Sequence, residues 1–203
     1  VLSKLESLNI EPNQLEIFFR AFKKEQVLEI RAKNKSDETF QKLIEYDFCA
    51  FSGVLGPKRR EGDRQIPEGV YFINRFNPKS KFHLSLGLNY PNDSDLILSD
   101  KDAPGSDIFI HGGCQTIGCI PITDDKIREV WVLAEMAKKN GQTQIPVHIF
   151  PFKMTESNLE NHLKIMPQFE EFWKNLMPIY QFFEEQKRLP NIKVLKEGDY
   201  QIL

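Results

Sequence analysis

The chain has 203 residues, of which 40% are hydrophobic and 28% charged, and its net charge is −2. This composition is typical of a globular protein, and the charge gives no electrostatic reason to expect nucleic acid as a partner. No apolar run is long enough to cross a bilayer. Three cysteines do not make a disulfide framework, and their odd number leaves at least one thiol free.

The first half of the chain is predicted to consist mostly of strands. Residues 11–24 predict a short helix, because Pro12 suits a first turn and the apolar residues of Leu15–Phe22 recur at helical spacing. The stretch 53–69, rich in Gly, Pro and charge, predicts a long connection. Asn77 and Pro78 predict a turn. Apolar and β-branched residues predict strands over 27–33, 40–52, 70–76, 81–88 and 107–111.

The second half is predicted to be mainly helical. Thr123–Asp125 supplies an N-cap and an acidic first turn for a helix that Gly141 ends. A strand over 145–152 follows, and residues 155–164 and 169–187 predict two further helices. Strands that precede segregated helices favour an α+β fold.

One His and one Cys lie close together in the glycine-rich segment Ile108–Cys119, which follows a predicted strand. A thiolate is a strong nucleophile, and a neighbouring imidazole can lower the pKa of a thiol and carry its proton. Gly118 lets the backbone turn tightly, so that the N–H groups of Gly118 and Cys119 can point at an oxyanion. The segment predicts a cysteine acyltransferase or hydrolase, with Cys119 as nucleophile and His111 as base in a thiolate–imidazolium pair.

Several motifs, in chain order, resemble the L,D-transpeptidase catalytic domain family (YkuD-type) of bacterial cell-wall enzymes. His111 and Gly112 match the upstream His-Gly of that family, and Thr116–Cys119 matches its Ser/Thr-x-Gly-Cys segment. The resemblance covers Cys49–Phe152 and depends on the order of the motifs, since no single one would suffice. The other similar segments are 56–58, 62–71 and 82–92.

The resemblance implies a specific α+β architecture. This is a mixed β-sheet sandwich or barrel with a capping helix and a helical C-terminal extension. We expect residues 1–38 to form an N-terminal helix and strand that pack on the core. Residues 39–153 would form the L,D-transpeptidase-like catalytic domain, and residues 154–203 a helical extension of that same domain.

The resemblance also implies a reaction on peptidoglycan. Cys119 would attack the carbonyl of the third stem residue, a diamino acid, so that D-Ala leaves and a thioester remains. A backbone carbonyl near Gly112 or Gly113 would orient His111, in place of the carboxylate of a triad. The implied partners are peptidoglycan stem peptides, with a wall-linked lipoprotein as a further candidate. The implied location is the periplasm or cell envelope. The chain itself shows no signal peptide and begins at Val1 without Met, so we expect an export segment to have been removed or left out.

Two positions depart from the family pattern. Ile117 stands where many members have His, and Pro121 stands where many have Arg or Asn. The short spacing between His111 and Cys119 and the extra Cys114 are more like the murein transpeptidase-like subfamily, in which some members hydrolyse peptide links. An amine acceptor would make the protein an L,D-transpeptidase, whereas water would make it an L,D-carboxypeptidase or endopeptidase. A catalytically silent wall-binding module is the third interpretation.

The expected substrate-binding residues lie on both sides of the catalytic pair. The resemblance favours His83 in the floor of the pocket, although an outward, solvated His is the alternative on an alternating strand. Asn89 and Tyr90 are expected at the border of the substrate groove, with the core as the alternative for Tyr90. Gly113 and Thr116 complete the set. Both lie in the loop between His111 and Cys119, which is called the catalytic loop below.

The remaining cysteines and histidines have simpler interpretations. Cys114 could pair with Cys119 in a regulatory disulfide, but a loop thiol packed beneath the site is favoured. Cys49, in a hydrophobic strand, is expected to be structural. His148 and His162 are not expected to take part in catalysis.

A metal site is disfavoured by the residue pattern. No zinc-protease motif occurs, and a zinc site built from His111, Cys114 and Cys119 would consume the nucleophile and lack a fourth ligand. There is also no glycine-rich phosphate loop and no Gly-x-Ser-x-Gly motif. We therefore expect neither a metal nor a cofactor.

Overall fold

The computed structural model describes residues 1–203. Its α-helices are α1 (Leu2–Ser7), α2 (Asp93–Leu98), α3 (Asp124–Lys139), α4 (Glu156–Leu163) and α5 (Glu170–Gln186), with a short 3-10 helix at Pro167–Phe169. Its strands are β1 (Leu15–Phe22), β2 (Val27–Asn34), β3 (Gln41–Asp47), β4 (Gly69–Ser80), β5 (His83–Leu88), β6 (Phe109–His111), β7 (Ile120–Pro121), β8 (Ile145–Phe150), β9 (Ile192–Val194) and β10 (Tyr200–Ile202).

Eight strands form one curled sheet in the order β3-β2-β1-β8-β4-β5-β6-β7. β1 pairs in parallel with β8, and β6 pairs in parallel with β7, whereas the other neighbours are antiparallel. Helix α3 packs against β1, β5, β6 and β8, and the main hydrophobic core includes buried residues of this helix and of the sheet. The α+β class is therefore confirmed.

The helix predicted over residues 11–24 is wrong, because this segment contains β1 at the centre of the sheet. Ile17, Phe19 and Ala21 point into the main core. Phe18 and Phe22, which alternate with them, contact apolar clusters on the opposite face of the sheet. A strand buried on both faces carries a nearly continuous apolar run, and such a run cannot be distinguished from a helix by periodicity.

Other element boundaries differ from prediction near turns. The strand predicted over 40–52 is confined to β3, and Asn77 and Pro78 lie within β4. The hairpin between β4 and β5 instead turns at Lys81 and Phe82. The helices α3, α4 and α5 are confirmed. The elements that were not predicted are α1, α2, β7, β9, β10 and the short 3-10 helix.

The C-terminal unit, defined as residues 154–203, contains α4, α5 and the hairpin of β9 and β10. Its buried Trp173, Leu176 and Ile179 form a second core with Phe22 and Phe150 of the sheet. The unit is therefore attached to the sheet through an apolar interface. None of the helices combines the length and the hydropathy that crossing a membrane requires.

Candidate active site

Cys119 is the free cysteine of the chain, and it lies beside an open cleft of about 550 Å³. The strand β7 begins at the next residue, so the backbone of Cys119 is held at the edge of the sheet. The cleft carries charged side chains of both signs, together with the exposed side chain of Ile117. The charged lining residues are Lys58, Glu61, Arg64 and Asp107.

The pairing of β6 with β7 sets the relative position of the predicted nucleophile and base. Ile110 pairs with Ile120, so Cys119 lies beside Phe109, and the Phe109 N–H donates to Sγ at 3.4 Å. Side chains two residues apart on a strand share a face, so His111 lies on the same face as Phe109. The sheet therefore presents Cys119 and His111 on one face, two strand positions apart.

His111 is buried, and its ring is held by an aromatic neighbour and by a hydrogen bond at one nitrogen. Nδ1 lies 2.5 Å from the carbonyl oxygen of Gly112, and because a carbonyl can only accept, Nδ1 carries the proton. Nε2 is thus the nitrogen available to take a proton. The ring of Phe82 lies against the imidazole, with centroids 4.7 Å apart. Burial lowers the pKa of His111, and the Gly112 hydrogen bond opposes this effect.

The surroundings of Cys119 favour its neutral form. Burial raises the pKa of the thiol, and the nearby Asp107 carboxylate raises it further. The Phe109 N–H and the cation of Lys58 act in the opposite direction. The lowered pKa of His111 and the raised pKa of Cys119 both favour a thiol and a neutral imidazole as the resting pair. These shifts do not favour the thiolate–imidazolium pair, which stays a prediction.

The N–H groups that were predicted to form the oxyanion hole already have an acceptor. Thr116 Oγ1 accepts from the N–H of Cys119 at 2.8 Å and from that of Gly118 at 3.2 Å, and it donates to the carbonyl of Cys119. The two N–H groups do converge on one point, but the Thr116 hydroxyl occupies it. The predicted oxyanion hole is therefore not formed in this conformation, since the threonine in the motif is itself the better-placed acceptor.

Two consecutive glycines let the catalytic loop pack closely against Phe82 and Asp124. A Cβ on Gly112 would lie 2.6 Å from Asp124 Oδ1 and 2.8 Å from the carbonyl of Phe82. Gly113 has a φ of +65°, and its N–H donates to Asp124 Oδ1 at 2.8 Å. Gly112 leaves no room for a Cβ, and Gly113 has a φ that favours glycine. Asp124 at the start of α3 holds the loop beside His111.

The cysteine pairing differs from both predicted interpretations of Cys114. Cys114 is bonded to Cys49, and the Cα atoms of the pair are 5.3 Å apart. The N–H of Cys49 donates to the carbonyl of Pro121, so the end of β3 is held beside β7 and the catalytic loop. Cys114 is exposed, and the predicted packing of a free thiol beneath the site is therefore wrong. Cys119 is left as the free thiol.

His83 and Gly113 border a second cleft, of about 430 Å³, on the side of the catalytic loop that carries Cys114. His83 is half-buried, and its Nε2 accepts from Arg128 Nε at 3.0 Å. Phe82 and Asp124 line the same cleft and also contact the catalytic loop. His83 thus faces a pocket that adjoins His111 rather than the cleft that contains Cys119.

Asn89 and Tyr90 do not border either of these clefts. Asn89 Oδ1 accepts from the backbone N–H of Phe72 at 2.7 Å and lines a groove next to the β9–β10 hairpin. Tyr90 is buried, and its hydroxyl donates to the carbonyl of Pro104 at 2.8 Å. The core alternative for Tyr90 is therefore the one observed. Both side chains satisfy backbone groups where the chain leaves the sheet.

The two departures from the family motif occupy different environments. Ile117 is 78% exposed at the rim of the cleft, whereas Pro121 is buried in β7 beside His111. His148 is buried in β8 with no hydrogen-bond partner at Nδ1. His162 stacks on Phe152, and neither of these two histidines lines a cleft beside the catalytic loop.

Sequence reasoning missed the residues that shape the cleft wall. Lys58 is buried and forms an ion pair with Asp63 at 2.6 Å, and its Nζ also donates to the carbonyl of Arg60. Burial raises the pKa of Asp63, but the hydrogen bond from Lys58 and those from three backbone N–H groups of the same loop outweigh this effect and lower it. The charged residues of the connection predicted over 53–69 were the sequence signal that could have identified this cleft wall.

A model of the L,D-transpeptidase catalytic domain (YkuD) matches residues 22–149. The chain is also 34% identical over 181 residues to YafK of Escherichia coli K12, whose name assigns it provisionally to the L,D-transpeptidases; the match covers 88% of this chain and 71% of YafK. The YafK of Escherichia coli O157:H7 matches equally. The chain belongs to the L,D-transpeptidase catalytic domain family. Membership of this family supports a role in modifying peptidoglycan.

The fold of this family member is also similar to a solved structure. The helical cell shape determining protein Pgp2 of Campylobacter jejuni gives a TM-score of 0.54 at 18% identity, with 94% of this chain and 77% of Pgp2 covered. This likeness concerns the fold. It includes the C-terminal region beyond residue 149, where the family model ends.

Proposed function

We propose that this protein is a cysteine-dependent L,D-transpeptidase that acts on peptidoglycan stem peptides through a thioester at Cys119. The observation that carries the proposal is the pairing of β6 with β7, since it puts a free thiol and the imidazole of His111 on one face of the sheet. The hydrogen bond to Gly112 supports His111 as the base, because it leaves Nε2 without a proton. Family membership supports peptidoglycan as the substrate.

In the proposed reaction, His111 Nε2 takes the thiol proton as Sγ attacks the carbonyl carbon of the third stem residue. The C–N bond to D-Ala then breaks, its amine receives the proton from His111, and a thioester remains. An amine of a second stem attacks this thioester, an amide bond forms as the C–S bond breaks, and a proton of that amine passes through His111 to Sγ. Since the resting pair is neutral, the proton moves during the attack.

The charges around the cleft support a substrate that carries both signs. The exposed Arg64 and the ion-paired Lys58 offer cations to peptide carboxylates. Glu61 and Asp107, on the same cleft, offer anions to the amino group of a diamino acid, although Asp107 already pairs with the exposed Arg75 at 2.6 Å. We propose that stem peptides bind along this wall, and a wall-linked lipoprotein stays a further candidate partner.

A second candidate function is hydrolysis of the same thioester. The observation that favours it is the apolar character of the positions next to the Gly118–Cys119 pair. Ile117 is exposed at the rim and Pro121 is buried, so neither offers a polar group that could hold an incoming amine. Water needs no such group, and the protein would then be an L,D-carboxypeptidase or endopeptidase.

The proposed place of action is the periplasm or cell envelope, where peptidoglycan lies. The disulfide between Cys49 and Cys114 supports this, because disulfides persist in oxidising compartments.

The decisive experiment incubates the purified protein with a donor tetrapeptide, with and without an amine acceptor, and identifies the products by mass. A cross-linked dimer supports the transpeptidase, whereas tripeptide alone at saturating acceptor supports the hydrolase. Cys119→Ala should abolish both products and all acyl-enzyme labelling. Ser106→Ala, which changes a hydroxyl on the same cleft, is the matched control and should retain turnover. Unchanged turnover by Cys119→Ala would overturn the mechanism, and inactive wild type would favour the silent module.

A further inference from the structure

The wall loop, defined as residues 53–68, forms one side of the cleft that contains Cys119. It contributes Lys58, Glu61 and Arg64 to the cleft. It also packs directly against the catalytic loop, because a Cβ on Gly118 would lie 3.0 Å from the carbonyl oxygen of Gln65. The loop contains neither helix nor strand, so its shape depends on side-chain contacts.

A fully buried ion pair closes this loop at its base. Lys23 Nζ, at the end of β1, donates to the carbonyls of Gly56 and Ile66 at 2.6 and 2.8 Å and to Glu68 Oε1 at 2.8 Å. Glu68 Oε1 accepts in turn from the N–H of Gly56 at 2.7 Å. One ammonium and one carboxylate thus join the two ends of the loop. Both side chains are excluded from solvent.

The C-terminal unit completes this arrangement. Trp173 of α5 donates its Nε1–H to Glu68 Oε2 at 2.8 Å. The ring of Phe169 lies over Gly56, where a Cβ would come within 2.4 Å of it, and Arg59 lies over the ring of Phe172 at 4.8 Å. Three aromatic residues from one short segment therefore contact the wall loop.

We propose that Lys23, Glu68 and Trp173 are positioning residues, through which the C-terminal unit sets the shape of the cleft wall opposite Cys119. A buried pair that served stability alone could be replaced by apolar side chains without harm. This pair does more, since its hydrogen bonds fix where residues 56 and 66 lie, and Lys58 and Arg64 lie between them. This positioning role rests on the proposed function only for the choice of substrate in the activity assay.

The first test is Trp173→Phe, which removes the indole donor and keeps an aromatic ring against Phe152 and Phe169. A displacement of about 1 Å near reacting groups costs up to about 10²-fold in rate. We expect kcat/KM for the donor tetrapeptide to fall at least about 10-fold by the same argument. Ile179→Val, a buried change in the same helix that leaves Glu68 untouched, is the matched control and should retain activity.

The second test separates positioning from stability. Lys23→Met and Glu68→Met each leave one buried charge without its partner, so both should lower the Tm strongly. The double variant leaves no unpaired charge and should recover Tm relative to either single variant. It should not recover kcat/KM, since no group then joins Gly56 to Ile66. Recovery of activity in parallel with Tm would overturn the proposal.

A third readout does not depend on the substrate. We expect limited proteolysis within the wall loop to be faster in Trp173→Phe than in Ile179→Val. We also expect the dependence of the Cys119 alkylation rate on pH to change in Trp173→Phe alone, because Lys58 of the wall loop acts on that thiol. If wild type does not turn over stem peptides, the proposed function fails while this test still holds. If the two variants give equal proteolysis and equal alkylation curves, the positioning role is excluded.

Discussion

The hydroxyl of Thr116 accepts a hydrogen bond from the backbone N–H of Cys119 at 2.8 Å and donates to the carbonyl of that same residue at 2.8 Å. Cys119 is therefore held by both of its backbone polar groups. The same oxygen also accepts from Gly118, so one side chain fixes the turn that presents Sγ to the cleft.

We predict that Thr116→Val impairs catalysis. The substitution leaves two partly buried N–H groups without an acceptor, at a cost of about 1–3 kcal/mol each. The turn should loosen, and kcat should fall by about 10-fold or more in the muropeptide assay, in line with the rate loss caused by small displacements. Thr116→Ser keeps Oγ and should stay near wild type. A higher kcat in Thr116→Val would instead mean that the hydroxyl blocks the oxyanion hole.

The second prediction concerns the base. His111→Gln should lower kcat/KM by about 10²–10⁴-fold, the usual contribution of general-base assistance. Burial lowers the pKa of His111 below its ordinary 6.5, and only neutral imidazole can take the thiol proton. The acid limb of the wild-type pH profile should therefore have its midpoint below pH 6.5, with activity lost as pH falls. His83→Gln is the matched control, and a larger loss in that variant would assign the base to His83.

The candidate site could be located from local sequence, because its residues are close together in the chain. Strand, catalytic loop and helix follow one another from Asp107 to Lys139, and each is coded by its own pattern. The hydrogen bonds of Thr116 were not predicted, although its hydroxyl accepts from the same two N–H groups that were predicted to bind the oxyanion.

Features that depend on the tertiary structure could not be predicted from local sequence. The burial of β1 on both faces follows from its central place in the sheet. The bond between Cys49 and Cys114 joins residues 65 positions apart. The contact of Trp173 with Glu68 spans 105 positions. No periodicity or spacing within a short window contains such information.

The third prediction is a thiol count. With Cys49 and Cys114 bonded, the native protein without reductant should react with a thiol reagent at one cysteine, Cys119, and the reduced, unfolded chain at three. The double variant Cys49→Ser, Cys114→Ser should lose about 2–4 kcal/mol of unfolding free energy, the usual value for a disulfide. Its thiol count should remain one, measured under the same conditions. Protection of Cys119 in the native wild type would instead point to a Cys114–Cys119 bond.

The fourth prediction concerns the stability of the fold against pH. His148 is buried beside Phe18, and burial lowers its pKa to about 3 from the ordinary 6.5, with Arg20 acting in the same direction. The unfolded state therefore binds the proton at a higher pH than the folded state. The stability that neutral His148 contributes is fully present above pH 6.5 and is lost progressively as pH falls towards 3.

The titration of Asp95 changes stability with pH in the opposite direction, and this decides how the experiment must be designed. Burial raises the pKa of Asp95 to about 6 from 3.8, so its protonation favours the folded state as pH falls through 6. The two effects oppose each other in the wild-type curve, but Asp95 cancels in the difference between wild type and His148→Phe. Denaturant unfolding from pH 7 to pH 4 should show the variant gaining up to about 1.4 kcal/mol per pH unit over wild type. His162→Gln, which changes a less buried imidazole, should gain much less. A difference for His148→Phe that does not vary with pH would mean that His148 does not resist protonation in the folded state.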